Sequence, residues 1–146
     1  MPSSKVMLRQ VTLIVIALAG LAACAPQVAP AGAQTDAVVL SESVFNTADG
    51  LALPVRRWLP ANNMPKAVVL ALHGFNDYSR AFEKVPDAPG VGPYLAERAI
   101  AVYAYDQRGF GKSPNAGLWQ GTDAMVGDVK AFVTLLRQTY PGTPVY

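Results

Sequence analysis

Two short runs hold the residues whose types and spacing suit chemistry. The first is His73-Gly74-Phe75, directly after the apolar run Lys66 to Leu72. The second is Asp106-Gln107-Arg108-Gly109-Phe110-Gly111-Lys112-Ser113, directly after Ala101-Val102-Tyr103-Ala104-Tyr105. In the first, Gly74 is expected to let the backbone turn sharply and to leave room for a ligand. In the second, Gly111-Lys112-Ser113 has the look of a phosphate loop. The glycine that such a loop needs five residues earlier is replaced by Asp106, whose carboxylate would repel a phosphate. Pro114-Asn115-Ala116-Gly117 does not open a helix either, so the nucleotide reading is set aside. Ser113 is a poor nucleophile, because Pro114 has no N–H to act as the neighbouring anion donor. No Gly-x-Ser-x-Gly occurs. His73 is the only histidine and Cys24 the only cysteine, so no metal-ligand cluster is expected and no cofactor is implied.

The elements that must position these runs are read from periodicity. Ser41 to Asn46 and Leu51 to Leu59 are β-like and joined by Thr47-Ala48-Asp49-Gly50, a hairpin signal. Pro54 inside the second run places that strand toward a sheet edge. Lys66 to Leu72 is continuously apolar after its lysine and is expected to be buried on both faces. Asn76 to Lys84 is polar, with room for a helical turn, and the prolines and glycines from Pro86 to Pro93 break the chain repeatedly. Pro93 can open a short helix over Tyr94 to Arg98, and Ala101 to Tyr105 is a second buried strand. Thr122 to Thr139 is the clearest helix, with Met125, Val126, Val129, Phe132, Val133 and Leu136 as its apolar stripe. Asp123 and Asp128 early and Lys130 and Arg137 late suit the helix dipole. Pro144-Val145-Tyr146 begins an extended segment. Two buried strands linked through a helix imply a parallel crossover, and the class is α/β with a mostly parallel sheet. Both motifs then fall at the C-terminal ends of neighbouring strands, the edge at which open α/β sheets place their sites.

The N-terminus reads as a targeting segment. Lys5 and Arg9 precede an apolar stretch from Val11 to Ala23, which is too short to span a bilayer and has the length of a signal-peptide core. It closes on Leu21-Ala22-Ala23-Cys24, which resembles the bacterial lipobox and implies a diacylglyceryl thioether on Cys24. Residues 1–23 are therefore expected to be a lipoprotein signal peptide, and 24–37, rich in Ala, Pro, Gln and Gly, a flexible tether. Residues 38–146 form the folded part. The expected location is the bacterial cell envelope, with Ala25 compatible with the outer membrane of a Gram-negative cell. A net charge of +2 and the lack of a basic patch with interleaved aromatics argue against nucleic acid as a partner.

Taken together, the two motifs resemble the α/β-hydrolase fold. They are most similar to its monoacylglycerol lipase and lysophospholipase-like branch, the serine aminopeptidase S33 type, over roughly Val44 to Tyr146. The resemblance implies an antiparallel hairpin leading into a mostly parallel sheet flanked by helices, with the chain ending before the nucleophile elbow. It implies that the Phe75 backbone N–H is an oxyanion-hole donor. It makes His73 a packing residue and Asp106 a loop residue, since that family's triad follows later in the order Ser, Asp, His. Asp106 and Arg108 would hold their loop by local hydrogen bonds or an ion pair, with Gly109 and Gly111 supplying turns. The implied parent is a lipid-anchored serine hydrolase of carboxylic esters, with a monoglyceride or lysophospholipid-like substrate and the membrane as its partners. This segment would be inactive alone. An epoxide hydrolase or haloalkane dehalogenase on the same fold is the alternative within enzymes, and a non-catalytic exported lipoprotein the alternative outside them.

Overall fold

The computed structural model describes residues 8–12, 28–34 and 37–146. A five-stranded sheet runs in the order β1 (Val39–Leu40), β2 (Val44–Asn46), β3 (Ala52–Trp58), β7 (Ile100–Tyr105), β4 (Ala67–Ala71). The first three strands and β7 pair antiparallel, whereas β4 and β7 pair in parallel, with Ala71 opposite Ala104. Val145 bridges to Val68 in parallel, and Tyr146 N–H donates to the Val68 carbonyl (2.9 Å). Pro144 to Tyr146 therefore extends the sheet beyond β4. Between β4 and β7 lie a 3-10 turn (Ser79–Phe82), a small hairpin of β5 (Lys84–Val85) and β6 (Ala88–Pro89), and the helix α1 (Val91–Ala96). The helix α2 spans Thr122–Thr139, the limits its periodicity predicts.

Three expectations are corrected. The strand carrying Pro54 is internal, between β2 and β7. The ring is tolerated because Val55 opposite Tyr105 is the last β3–β7 pair. Pro54 lies past it, and its carbonyl accepts the Asp106 N–H (2.9 Å), so the absent N–H breaks no bond of the ladder. β4 is not buried on both faces: Val68 is, but its neighbours are half-buried and Leu72 is exposed. The strand that is wrapped on both sides is β7, buried from Ala101 to Tyr105. The inner face of α2 is also rotated from the expected stripe. It buries Asp128, Phe132 and Leu136, while Val126 is exposed.

The core sits between that face of α2 and the sheet. Phe132 stacks on Tyr105 with ring centroids 5.2 Å apart and meets Phe45 edge-on at 4.9 Å. Leu53, Val55, Val68 and Tyr103 complete it. Tyr103 keeps its hydroxyl paired with that of Tyr140 (2.7 Å), as a buried phenol requires. Residues 28–34, expected to lie in a loose tether, contact the body: Val28 bridges to Trp119, and Gly32 N–H donates to Asp49 Oδ2 (3.0 Å). Cys24 and all of the signal-peptide core after Thr12 lie outside the described residues.

Candidate active site

Because β4 and β7 are parallel neighbours in matched register, both motifs leave the sheet at the same rim. His73 is the clamp between them. Its Nε2 accepts the Gln107 N–H (3.0 Å), and Gln107 Nε2 donates to the His73 carbonyl (2.7 Å). With Nε2 an acceptor, Nδ1 is the protonated nitrogen and donates to the Gly74 carbonyl (2.9 Å). Both ring nitrogens are thus committed to backbone, and the residue is buried. Such a histidine holds a rim together and leaves no free nitrogen for a hydroxyl.

The chain then turns over the rim. Gly74 has open space where a Cβ would stand. The sharp turn, however, is made by Asn76, with φ 61°, and Gly74 keeps a negative φ. Phe75, between them, is exposed. Among the described residues no acceptor pairs with its backbone N–H. The ring of Phe110, from the second motif, lies edge-on to both Phe75 (5.4 Å) and His73 (5.6 Å). Phe75, Tyr78, Gly109, Phe110, Leu118 and Trp119 are among the residues lining an open cavity of about 460 Å³ at this rim.

The second motif divides its labour in a way the sequence reading missed. Asp106 and Arg108 do not pair with each other. Asp106, buried at the end of β7, accepts the Ser79 N–H (2.9 Å) and hydroxyl (2.6 Å) on Oδ1 and the Lys112 N–H (2.8 Å) on Oδ2. It therefore ties the 3-10 turn to its own loop. Gly111 (φ 58°) crosses directly over this carboxylate, where a Cβ would strike Asp106 and the Tyr78 Cβ. Gly109 (φ 79°) has the Leu118 carbonyl in the corresponding place. Ser113 closes the loop on itself, its buried Oγ donating to the Phe110 carbonyl (2.6 Å) and accepting the Phe110 N–H (3.0 Å). That hydroxyl is fully used within its own loop.

Arg108 turns the other way, under the sheet edge, and is buried with two carboxylates. Its guanidinium grips Asp49 through both terminal nitrogens (2.6 Å each) and Asp128 through Nε (2.5 Å) and Nη2 (2.8 Å). Gln120 Oε1 completes the fork at 3.4 Å. Arg108 hydrogen bonding, helped by Thr47 against the cost of burial, holds Asp49 well below the ordinary carboxylate range. Burial pushes Asp128 up, Arg108 opposes, and the charge of Asp49 adds to the rise. Asp49 and Asp128 were read as a turn residue and a dipole residue. A signal for the second was present: Asp128, Phe132 and Leu136 are spaced by four, so the carboxylate lies in the apolar stripe.

The arrangement is a rim with an N–H that has no acceptor among the described residues, set on a strand-end turn between aromatic walls and buried polar groups that brace the turn. Among the described residues, both serine hydroxyls near the rim, those of Ser79 and Ser113, already donate to fixed acceptors. Strand order, crossover and rim together define the α/β-hydrolase class. Matching structures bear this out. The chain superimposes on a soluble variant of monoglyceride lipase from Saccharomyces cerevisiae with TM-score 0.55 and 22% identity, covering 81% of this chain and 37% of that one. For Est1E from Butyrivibrio proteoclasticus the values are 0.53 and 23%, over 67% and 38%. The family model for serine aminopeptidase S33 matches residues 63–146, more than half of the sequence, and the chain belongs to that family. Human monoglyceride lipase is 30% identical over 100 residues, which cover 68% of this chain and 31% of the relative. The chain spans less than a third of the length of the curated relatives it matches.

Proposed function

We propose that this chain supplies the oxyanion-side portion of a serine hydrolase that cleaves carboxylic esters of the monoglyceride or lysophospholipid kind. The observation that carries the reading is the Phe75 N–H, free of an intrachain acceptor among the described residues and set beside the cavity on a turn that His73, Gln107 and Phe110 brace. When a hydroxyl attacks an ester carbonyl, charge develops on the carbonyl oxygen, and a pre-aimed N–H stabilises it without reorganising. The aromatic walls of Phe75, Tyr78, Phe110 and Trp119 suit an acyl chain better than a charged substrate. The nucleophile, acid and base of the reaction lie outside these 146 residues, so the segment alone is inactive. Cys24 carries the lipid that holds the protein to the cell envelope.

The test uses the full-length gene product. A fluorophosphonate probe should label one serine, and monoacylglycerol should be hydrolysed faster than a peptide amide. A product that resists the probe but opens epoxides or releases halide would replace the serine reading with an Asp nucleophile. A product inert to all three would remove the enzyme reading. Incorporation of labelled glycerol and acyl chains, abolished by Cys24→Ser, tests the anchor separately.

A further inference from the structure

We infer that the segment following Cys24 holds the mouth of the cavity against the bilayer, so that the site draws its substrate from the membrane that anchors it. The inference rests on the acylation of Cys24 put forward above. Its own basis is where the segment docks. Val28 pairs in parallel with Trp119, a residue of the cavity wall, and Ala29 N–H donates to the Trp119 carbonyl (3.0 Å). Four residues on, Gly32 N–H is held by Asp49 Oδ2, itself fixed by Arg108. Two attachments, one at the cavity wall and one at the Asp49–Arg108 cluster, pin the segment to the body.

Chain length then decides the geometry. A loose tether over residues 24–37 would have a root-mean-square reach of about 20 Å and could leave the body in any orientation. Pinned at Val28, the chain leaves only four residue steps to Cys24, about 14 Å at full extension. The acylated cysteine cannot lie further than that from Val28, which is bridged to Trp119 of the cavity wall. The surface presented there suits a lipid interface. Phe75 is 85% exposed, Val28 56%, Trp119 39% and Tyr78 37%, with the aromatic residues around the cavity mouth. Trp and Tyr rings are the side chains that favour the headgroup level, where an apolar body and a polar tip are both satisfied. The opposite end of the sheet carries the polar loop with Asn62 and Asn63, separated from the rim by the length of β4, about 17 Å.

The experiment places a photo-crosslinking benzoylphenylalanine in turn at positions 75, 119 and 62 of the full-length, membrane-bound protein. Irradiation should give phospholipid adducts at 75 and 119 and several-fold fewer at 62. A Gly/Ser insertion of about 20 residues between Cys24 and Val28, with the two donors Ala29 and Gly32 both replaced by Pro to undo the docking, frees about 25 Å of reach. It should leave the protein in the membrane fraction and bring the adducts at 119 down to the level at 62. Equal lipid capture at all three positions, capture at 119 that survives this release, or adducts at 75 and 119 formed only within the protein would each overturn the inference. Fractionation of Cys24→Ser keeps the two readings apart. Continued membrane binding by that variant defeats the anchor and the inference with it, whereas a released variant beside failed crosslinks defeats the inference alone.

Discussion

At the scale of single residues, the molecule spends its buried polarity on rigidity. Arg108 neutralises only one of its two buried carboxylates, so the cluster depends on its fork. Arg108→Ala should lower unfolding stability by about 3–5 kcal/mol, because two desolvated carboxylates would face each other unpaired. Arg108→Lys should recover little, since an ammonium cannot bond both carboxylates in two planes. Urea midpoints at constant slope would measure both. The pH dependence follows from the two aspartates, which act with opposite sign. Asp49, held low, contributes stability that is present above the unfolded carboxylate value and lost as pH falls through its depressed folded value. Asp128, pushed up, contributes stability that declines as pH rises from the unfolded value through the folded one. Asp49→Asn should therefore flatten the acid limb of a stability profile, and Asp128→Asn should steepen the rise above it. The same slope in both variants would contradict the assignment. His73 makes a sharper residue-scale claim. As the sole histidine of these 146 residues, it should show a protonated Nδ1 and an acceptor Nε2 in nitrogen-15 spectra of the imidazole.

At the scale of elements, the site depends on two loops crossing at van der Waals distance. Gly109 and Gly111 combine a positive φ with a neighbour where a Cβ would be, whereas Gly117 (φ 84°) has open space there. Left-handed backbone costs an L-residue about 1–2 kcal/mol. Gly117→Ala should lose about that much, and Gly109→Ala and Gly111→Ala clearly more, since the Leu118 carbonyl or the Asp106 carboxylate must also move. Thermal melts of the three variants would rank them, and equal losses would show that the crossing is looser than described. For α2, Phe132→Ala removes the ring shared by Phe45, Tyr103 and Tyr105 and should cost about 3–5 kcal/mol. An exposed change such as Val126→Ala should cost far less.

At the scale of the whole molecule, the antiparallel strands β1 to β3 and the parallel pair β7–β4 form one sheet, and a single rim collects both motifs. The family relationship accounts for this plan, and that rim is the part of this segment that the proposed ester chemistry uses. The full-length product should hydrolyse monoacylglycerol while a protein of these 146 residues alone does not, a contrast readable in one assay with matched protein concentrations. Activity in the shorter protein would mean that a nucleophile has been overlooked within it.

Much of this was legible in the chain itself. The apolar run Ala101 to Tyr105 gives a buried strand, the spacing of Phe132 and Leu136 gives a helix, and His73-Gly74-Phe75 with Asp106 to Ser113 marks both strand ends, because local periodicity and turn chemistry are written in neighbouring residues. Tertiary structure alone decided who pairs with whom. Arg108 reaches 59 residues back to Asp49 and 20 forward to Asp128 and not two back to Asp106. Gln107 finds His73, and residues after Cys24 find Trp119. Those partners become neighbours only when β7 enters between β3 and β4. A buried charge is matched by whatever the fold brings within hydrogen-bonding reach, and distance along the chain carries no record of that.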